Sequence, residues 1–363
     1  MRVLAVNAGS SSLKLSVLEG RTALASHLVE RWESGDVDAI GPFVDDQPQL
    51  DAVVHRVVHG GTRFHGPTVL DSASIEEIRS LTALAPLHQP RSLAGIDATA
   101  RLLPDVTPVA CFDTAFHVTI PAEAHTYALP AEWLERWPLR RFGFHGLSHR
   151  YAAGRTAQLI DRPVGDLRIV TCHLGSGSSL CAVRAGLSVD TTMGFTPLEG
   201  LVMRTRAGSV DPGLVVWLID KAGLPVEEVS DGLEHRSGLV GLGGGSGDIR
   251  ELSEAAERGE VRATLALAVH DLSVSRGVAA MAASMGGLDA VAFTGGIGEH
   301  ASSVRAAVAR RLEFLGVRVD AEANAAPPAD REITGTGATV RTVVVEARED
   351  IQMAVEATAL LSR

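Results

Sequence analysis

Apolar positions change period several times along the chain. Val3–Val6 is an unbroken apolar run, the pattern of a strand buried on both faces. NAGSS follows as a tight turn, and Leu13–Val17 predicts the return strand of a hairpin. Val53–Val58 predicts a further strand, stopped by Gly60 and Gly61, after which Asp71 and Ser72 open a helix near Ile75. Wider apolar spacing predicts helices over Ser92–Leu103 and Leu147–Ile160, with a short strand at Val106–Cys111 between them that runs into FDTAFH. Strand ends and helix starts alternate, which predicts an α/β fold.

The pattern then starts again. Arg168–His173 reads as a strand, LGSGSS as a Gly/Ser turn and Leu180–Val183 as a return strand, so VNAGSSSLKLSV and CHLGSGSSLCAV are versions of one hairpin. Two copies half a chain apart predict a duplicated domain, since solenoid repeats run to about 20–50 residues. The 363 residues also exceed what one core ordinarily holds. The second half is more helical, with helices predicted at Gly213–Lys221, Asp248–Glu257 and Val261–Met285; a buried strand, Asp289–Phe293, leads into TGGIGE, and Arg348–Leu361 is an amphipathic closing helix.

The net charge of −11 argues against a broad nucleic-acid surface, so any anion has to be met locally. Only Lys14 and Lys221 are lysine, which leaves 31 of the 33 basic residues as arginine, a planar donor suited to carboxylate and phosphate. Codon bias accounts for most of that excess and makes Lys14 stand out. Three cysteines with no CxxC pair support neither a disulfide framework nor a zinc site. No signal peptide is evident, and His270, Asp271 and Arg276 interrupt the longest apolar stretch, so the expectation is a cytoplasmic protein without a membrane span.

Each hairpin turn leaves backbone N–H groups and hydroxyls able to approach a polyanion: Ser10, Ser12 and Lys14 in the first, Ser176, Gly177 and Ser178 in the second. Neither is a Walker loop. TGGIGE brings glycines to a helix start, and GGGSGDIR carries Asp248, which a helix N-cap would explain equally well. HRVVHGG places Arg56 and His59 at the end of a valine strand, and RTRAGSVDP supplies Arg204 and Arg206; each arginine meets either a bound anion or a structural carboxylate. Asp113 and His117 lie in FDTAFH, with Arg140, Arg141, His145 and His149 in RRFGFHGLSH. Arginines, carboxylates, a histidine and two phosphate-type turns are the parts of a phosphoryl-transfer site.

VNAGSSSLK, HRVVHGG, LAPLHQP, FDTAFH, RRFGFHG, HLGSGSS, TTMGFTPLEG, RAGSVDPG, GSGDIR and FTGGIGEH, in that order, resemble the acetokinase family of acetate and propionate kinases. The resemblance implies the duplicated two-domain fold shared with actin, sugar kinases and chaperone ATPases, with a nucleotide cleft between the domains. The division it implies is 1–146 and 147–347, with helix 348–363 packing back on the first domain. It implies Asn7, Ser10, Ser12 and Lys14 in the first phosphate loop, and His173, Leu174, Gly175, Ser176 and Gly177 in the second. Asp248, Ile249, Arg250, Gly295, Gly296, Ile297 and Gly298 would line the adenosine side. Arg56 and Arg206 would bind the acyl substrate, Asp113 would orient an arginine and the metal shell, and His145 would bond the transferring phosphoryl group. Val58, Leu87, Phe144 and Pro197 would take the alkyl group; Asn7 and Glu349, with Asp350 as the alternative, would hold Mg²⁺ or Mn²⁺.

The implied activity is reversible, Mg-dependent transfer from ATP to acetate or propionate, giving ADP and an acyl phosphate, in a homodimer that binds neither nucleic acid nor membrane. Replacing Arg56 or Arg206 by Ala is expected to lower turnover by orders of magnitude and leave folding nearly intact. Three departures stand out: HLGSG where the family usually has HLGNG, GFHGLSH for GFHGTSH, and HGGT for HGGE. The stretch between Val17 and His55 is also shorter than in the family. Three alternatives follow: a pyrophosphate-dependent kinase, a propionate- or butyrate-specific kinase, and a non-catalytic sensor of nucleotide or acyl phosphate.

Overall fold

The computed structural model describes residues 1–9, 12–32, 36–86 and 88–362. They form two compact units. The first comprises Met1–Val118, Phe144–Tyr151 and Arg348–Arg363, and the second Thr119–Gly143 and Ala152–Ala347. Thr119–Gly143 thus groups with the second unit rather than with residues 1–118.

The first unit is built on six strands: β1 (Arg2–Ala8), β2 (Ser12–Glu19), β3 (Thr22–Glu30), β4 (Ala52–Val57), β5 (Thr68–Val69) and β6 (Thr107–Phe112), in the order β3-β2-β1-β4-β6-β5. β1, β4 and β6 run parallel, while β2, β3 and β5 are antiparallel to their neighbours. Both faces of β1 are covered, which explains its unbroken apolar run. Leu4 and Val6 pack with Leu13, Leu15 and Val53, and Val3 and Ala5 pack with Val109 and with Ile351, Met353 and Ala357 of the closing helix, Glu349–Leu361.

The second unit repeats that plan. Its strands are β7 (Arg168–Leu174), β8 (Ser178–Arg184), β9 (Leu187–Thr191), β10 (Ala290–Thr294), β11 (Arg331–Glu332) and β12 (Arg341–Val344), in the order β11-β12-β10-β7-β8-β9, with β7, β10 and β12 parallel. Position by position, β7 matches β1 and β10 matches β4. Even an irregularity is shared: the pairing of β2 with β3 slips between Val17 and Leu18, and that of β8 with β9 slips between Ala182 and Val183 at the equivalent place. The helix Val261–Met285 is, among the described residues, long and apolar enough to cross a membrane. Its Ala266, Val274, Val278 and Met281 instead pack with Val170, Leu180 and Val291 of the sheet, and left-handed Gly286 ends it.

Candidate active site

Parallel pairing of β1, β4 and β6 brings the carboxyl ends of three strands to one edge of the sheet, where ligands of open α/β sheets bind. Asn7 lies near the end of β1, Arg56 near the end of β4, and Asp113 directly follows β6. The first turn of the closing helix adds Glu349. Arg56 donates to Asp113 through Nε (2.9 Å) and Nη2 (2.6 Å), a bidentate pair, and through Nη1 to Asn7 Oδ1 (3.3 Å). Asn7 Nδ2 donates to Glu349 Oε2 at 3.0 Å, and that oxygen is 3.7 Å from Arg56 Nη1.

Burial opposes the charge on Arg56, but the carboxylates of Asp113 and Glu349 outweigh it and hold the guanidinium protonated. Asp113 is 1% exposed, and burial pushes its carboxyl above the ordinary 3.8 against the pull of Arg56. Asp350 is engaged elsewhere: Arg348 grips it through Nε (3.0 Å) and Nη2 (3.1 Å). Glu349, not its neighbour, therefore stands beside Asn7. The pair offers hard oxygen donors, the kind Mg²⁺ takes together with waters and substrate phosphates. Among the described residues no three His, Cys, Asp or Glu side chains gather as a complete metal cage.

In the second unit a cavity of about 360 Å³ opens at the equivalent strand ends. Gly175 and Ser176 line it from the β7–β8 turn, Gly296 and Ile297 from the start of the helix Gly295–His300. Asp248, Ile249 and Arg250 complete the predicted set. Asp248 caps the helix Ile249–Glu257, accepting from Arg250 N at 2.8 Å, and also pairs with the Arg250 guanidinium, so it is both N-cap and cavity wall. Gly295 has φ +77°, and a Cβ there would meet Leu174 O at 2.7 Å, so that turn admits only glycine.

Other predicted residues fall elsewhere. Leu174, Gly295 and Gly298 are buried beneath the cavity and do not line it; His173 and Gly177 flank it. Ser12 and Lys14 stand on β2, Lys14 opposite Asn7. Ser10 and Leu87 lie outside the described residues. Val58 and Phe144 belong to the first unit and are buried, with His59 edge-on to Phe144; Pro197 belongs to the second. There the Arg206 Nε pairs with Glu234 (3.1 Å), and its Nη1 donates to Pro197 O (3.4 Å).

The cavity also uses Arg204, Gly247, His300 and Ala301, none of them in the predicted nucleotide set. Arg305 was missed entirely. It is 1% exposed, pairs with no carboxylate among the described residues, and its guanidinium donates to Gly298 O (2.8 Å), Glu299 O (2.9 Å) and both oxygens of Asn324. Burial lowers its pKa to about 10. It thereby holds the far end of the short helix whose start faces the cavity. Its only sequence signal is an arginine on the apolar side of a helix.

The acetokinase family model matches residues 39–355. The acetate kinase of Halothermothrix orenii is 40% identical, and the match covers 98% of each chain. Among solved structures, Porphyromonas gingivalis acetate kinase superposes with a TM-score of 0.91 at 33% identity over 99% of both chains. A propionate kinase from Francisella tularensis gives 0.90 at 33% identity over 98% of both. With strand ends, arginine–carboxylate cluster and cavity laid out as above, this chain belongs to the acetokinase family and is a kinase, a phosphotransferase.

Proposed function

We propose that the chain transfers the γ-phosphoryl group of ATP to acetate, reversibly, giving ADP and acetyl phosphate, with propionate as a second acid. The observation that carries this reading is the Arg56–Asp113–Asn7–Glu349 cluster at the strand ends, in a chain of this family. Asp113 occupies Nε and Nη2 of Arg56, so it orients the guanidinium and leaves Nη1 turned toward Asn7 and Glu349. A carboxylate oxygen of the acid attacks the γ-phosphorus in line, the bond to the ADP oxygen breaks, and ADP leaves with the electron pair. Arg56 and His145, both of the first unit, meet the charge on the equatorial oxygens. Asn7 and Glu349 are the residues that would hold Mg²⁺ or Mn²⁺, whose chemistry when bound is to offset phosphate charge. No protein nucleophile is required, and Asp113, gripped by Arg56, is poorly placed to be one.

The cavity at Gly175, Ser176, Asp248 and Gly296 takes the nucleotide in this reading. Copies would pair as a homodimer through the helix Pro212–Asp220, which exposes Leu214, Val216 and Trp217. Hydroxamate trapping of acyl phosphate with ATP, Mg²⁺ and C2 to C4 acids tests the activity. Product is expected with acetate and propionate; none with any acid, or product only with pyrophosphate, overturns it.

A further inference from the structure

His145 has φ +56°, a left-handed backbone that is uncommon for a residue with a Cβ. Its own N–H donates to the Asp113 carboxylate, and contacts at both neighbouring residues hold it further. On one side the carbonyl of Phe144 accepts from His117 Nε2 at 3.0 Å; on the other the N–H of Gly146 donates to the carbonyl of Asp113 at 3.0 Å. A Cβ on residue 146 would lie 2.1 Å from that carbonyl oxygen, so only glycine permits the approach. His117 is wholly buried, and its own N–H donates to Thr114 O at 3.1 Å. A carbonyl only accepts, so Nε2 carries the proton. Burial lowers the pKa of His117 to about 4 and keeps the ring neutral at physiological pH.

We propose that His117 is a positioning residue: together with the Asp113 carbonyl it clamps the backbone on both sides of His145 and sets the direction in which the His145 imidazole leaves the chain. The proposal rests on the reading of His145 as the group that meets the transferring phosphoryl. One five-residue segment then serves two groups: the Asp113 carboxylate aims Arg56 and accepts from the His145 N–H, while the Asp113 carbonyl and His117 hold the peptides on either side of His145. Without the Nε2 donor the Phe144 carbonyl is left unpaired in the interior and the strained residue is released toward negative φ. A side chain misplaced by about 1 Å costs roughly 100-fold in rate.

The test compares His117→Gln, whose amide N–H reaches about as far as Nε2, with His117→Asn, which stops short, and with His117→Leu. Readouts on the full chain are kcat, KM for ATP and acetate, nucleotide Kd, and the ¹⁵N signals of the His145 imidazole. Asn and Leu should lower kcat roughly 100-fold with nucleotide Kd within about twofold, and Gln should recover at least about tenfold. The His145 signals should move in Asn and not in Gln. Equal kcat and equal His145 signals in the Gln and Asn variants overturn the proposal, and that pair decides it even where Leu does not fold. His145→Ala is run in parallel. Activity retained there sinks the phosphoryl role of His145, while the imidazole signals still decide whether His117 aims it.

Discussion

Removing Arg56 tests how the site is held together. Asp113 is 1% exposed, and Arg56 supplies two hydrogen bonds of 2.9 and 2.6 Å and, among the described residues, the one positive charge paired with it. Arg56→Ala strands that carboxylate in the interior, and breaking a buried pair from one side costs about 3–5 kcal/mol. This corrects the expectation that the substitution leaves folding nearly intact: turnover and stability should fall together. With m near 3 kcal/mol/M, the urea midpoint should drop by about 1–2 M at unchanged m. The pH dependence follows in sign. Burial already raises the Asp113 pKa, and loss of Arg56 raises it further. A group whose folded pKa is raised stabilises the protein below its ordinary value and loses that contribution as pH rises through the folded pKa, so the variant's deficit should shrink in acid. Arg56→Met combined with Asp113→Asn, which removes both charges, should be more stable than Arg56→Ala alone. A midpoint for Arg56→Ala within about 0.3 M urea of the parent, flat in pH, refutes the reasoning.

Burial lowers the pKa of His55 to about 3 and of His59 and His117 to about 4. Each therefore contributes stability that is complete above 6.5 and is lost as pH falls toward the lowered value, at up to about 1.4 kcal/mol per pH unit each; denaturation midpoints unchanged between pH 7 and 5 would contradict this. Ser176 is exposed in the cavity wall, so Ser176→Asn has room and should raise kcat/KM for ATP about tenfold through a bond to a charged phosphate; a loss of efficiency, with pyrophosphate preferred by both forms, would favour the other donor. Arg305→Met should raise KM for ATP more than it lowers kcat, because it unpairs the carbonyls of Gly298 and Glu299 behind the cavity; unchanged KM in a folded variant counts against that role.

The two Gly/Ser hairpins were legible because strand period and turn chemistry are local, and their repetition carried the duplicated α/β plan. β1, buried on both faces, announced itself as an apolar run; β3 did not, because Thr22–Glu30 is mostly exposed and shows no alternation. β9 and β12, five and four residues long, are too short for a period to emerge. The chemistry-bearing residues could be named from their motifs, but their grouping could not be derived from spacing. Arg56 and Asp113 are 57 residues apart and meet only because β4 and β6 pair in parallel with Arg56 opposite Cys111. Asn7 and Glu349 are 342 apart and meet because the closing helix packs on β1. Adjacent Glu349 and Asp350 are indistinguishable by pattern; Arg348 separates them by taking one. The left-handed turn at His145 is likewise imposed from outside, by carbonyl contacts to a segment about 30 residues earlier. Local periodicity encodes which face of an element is apolar; strand register and packing decide which polar ends come together.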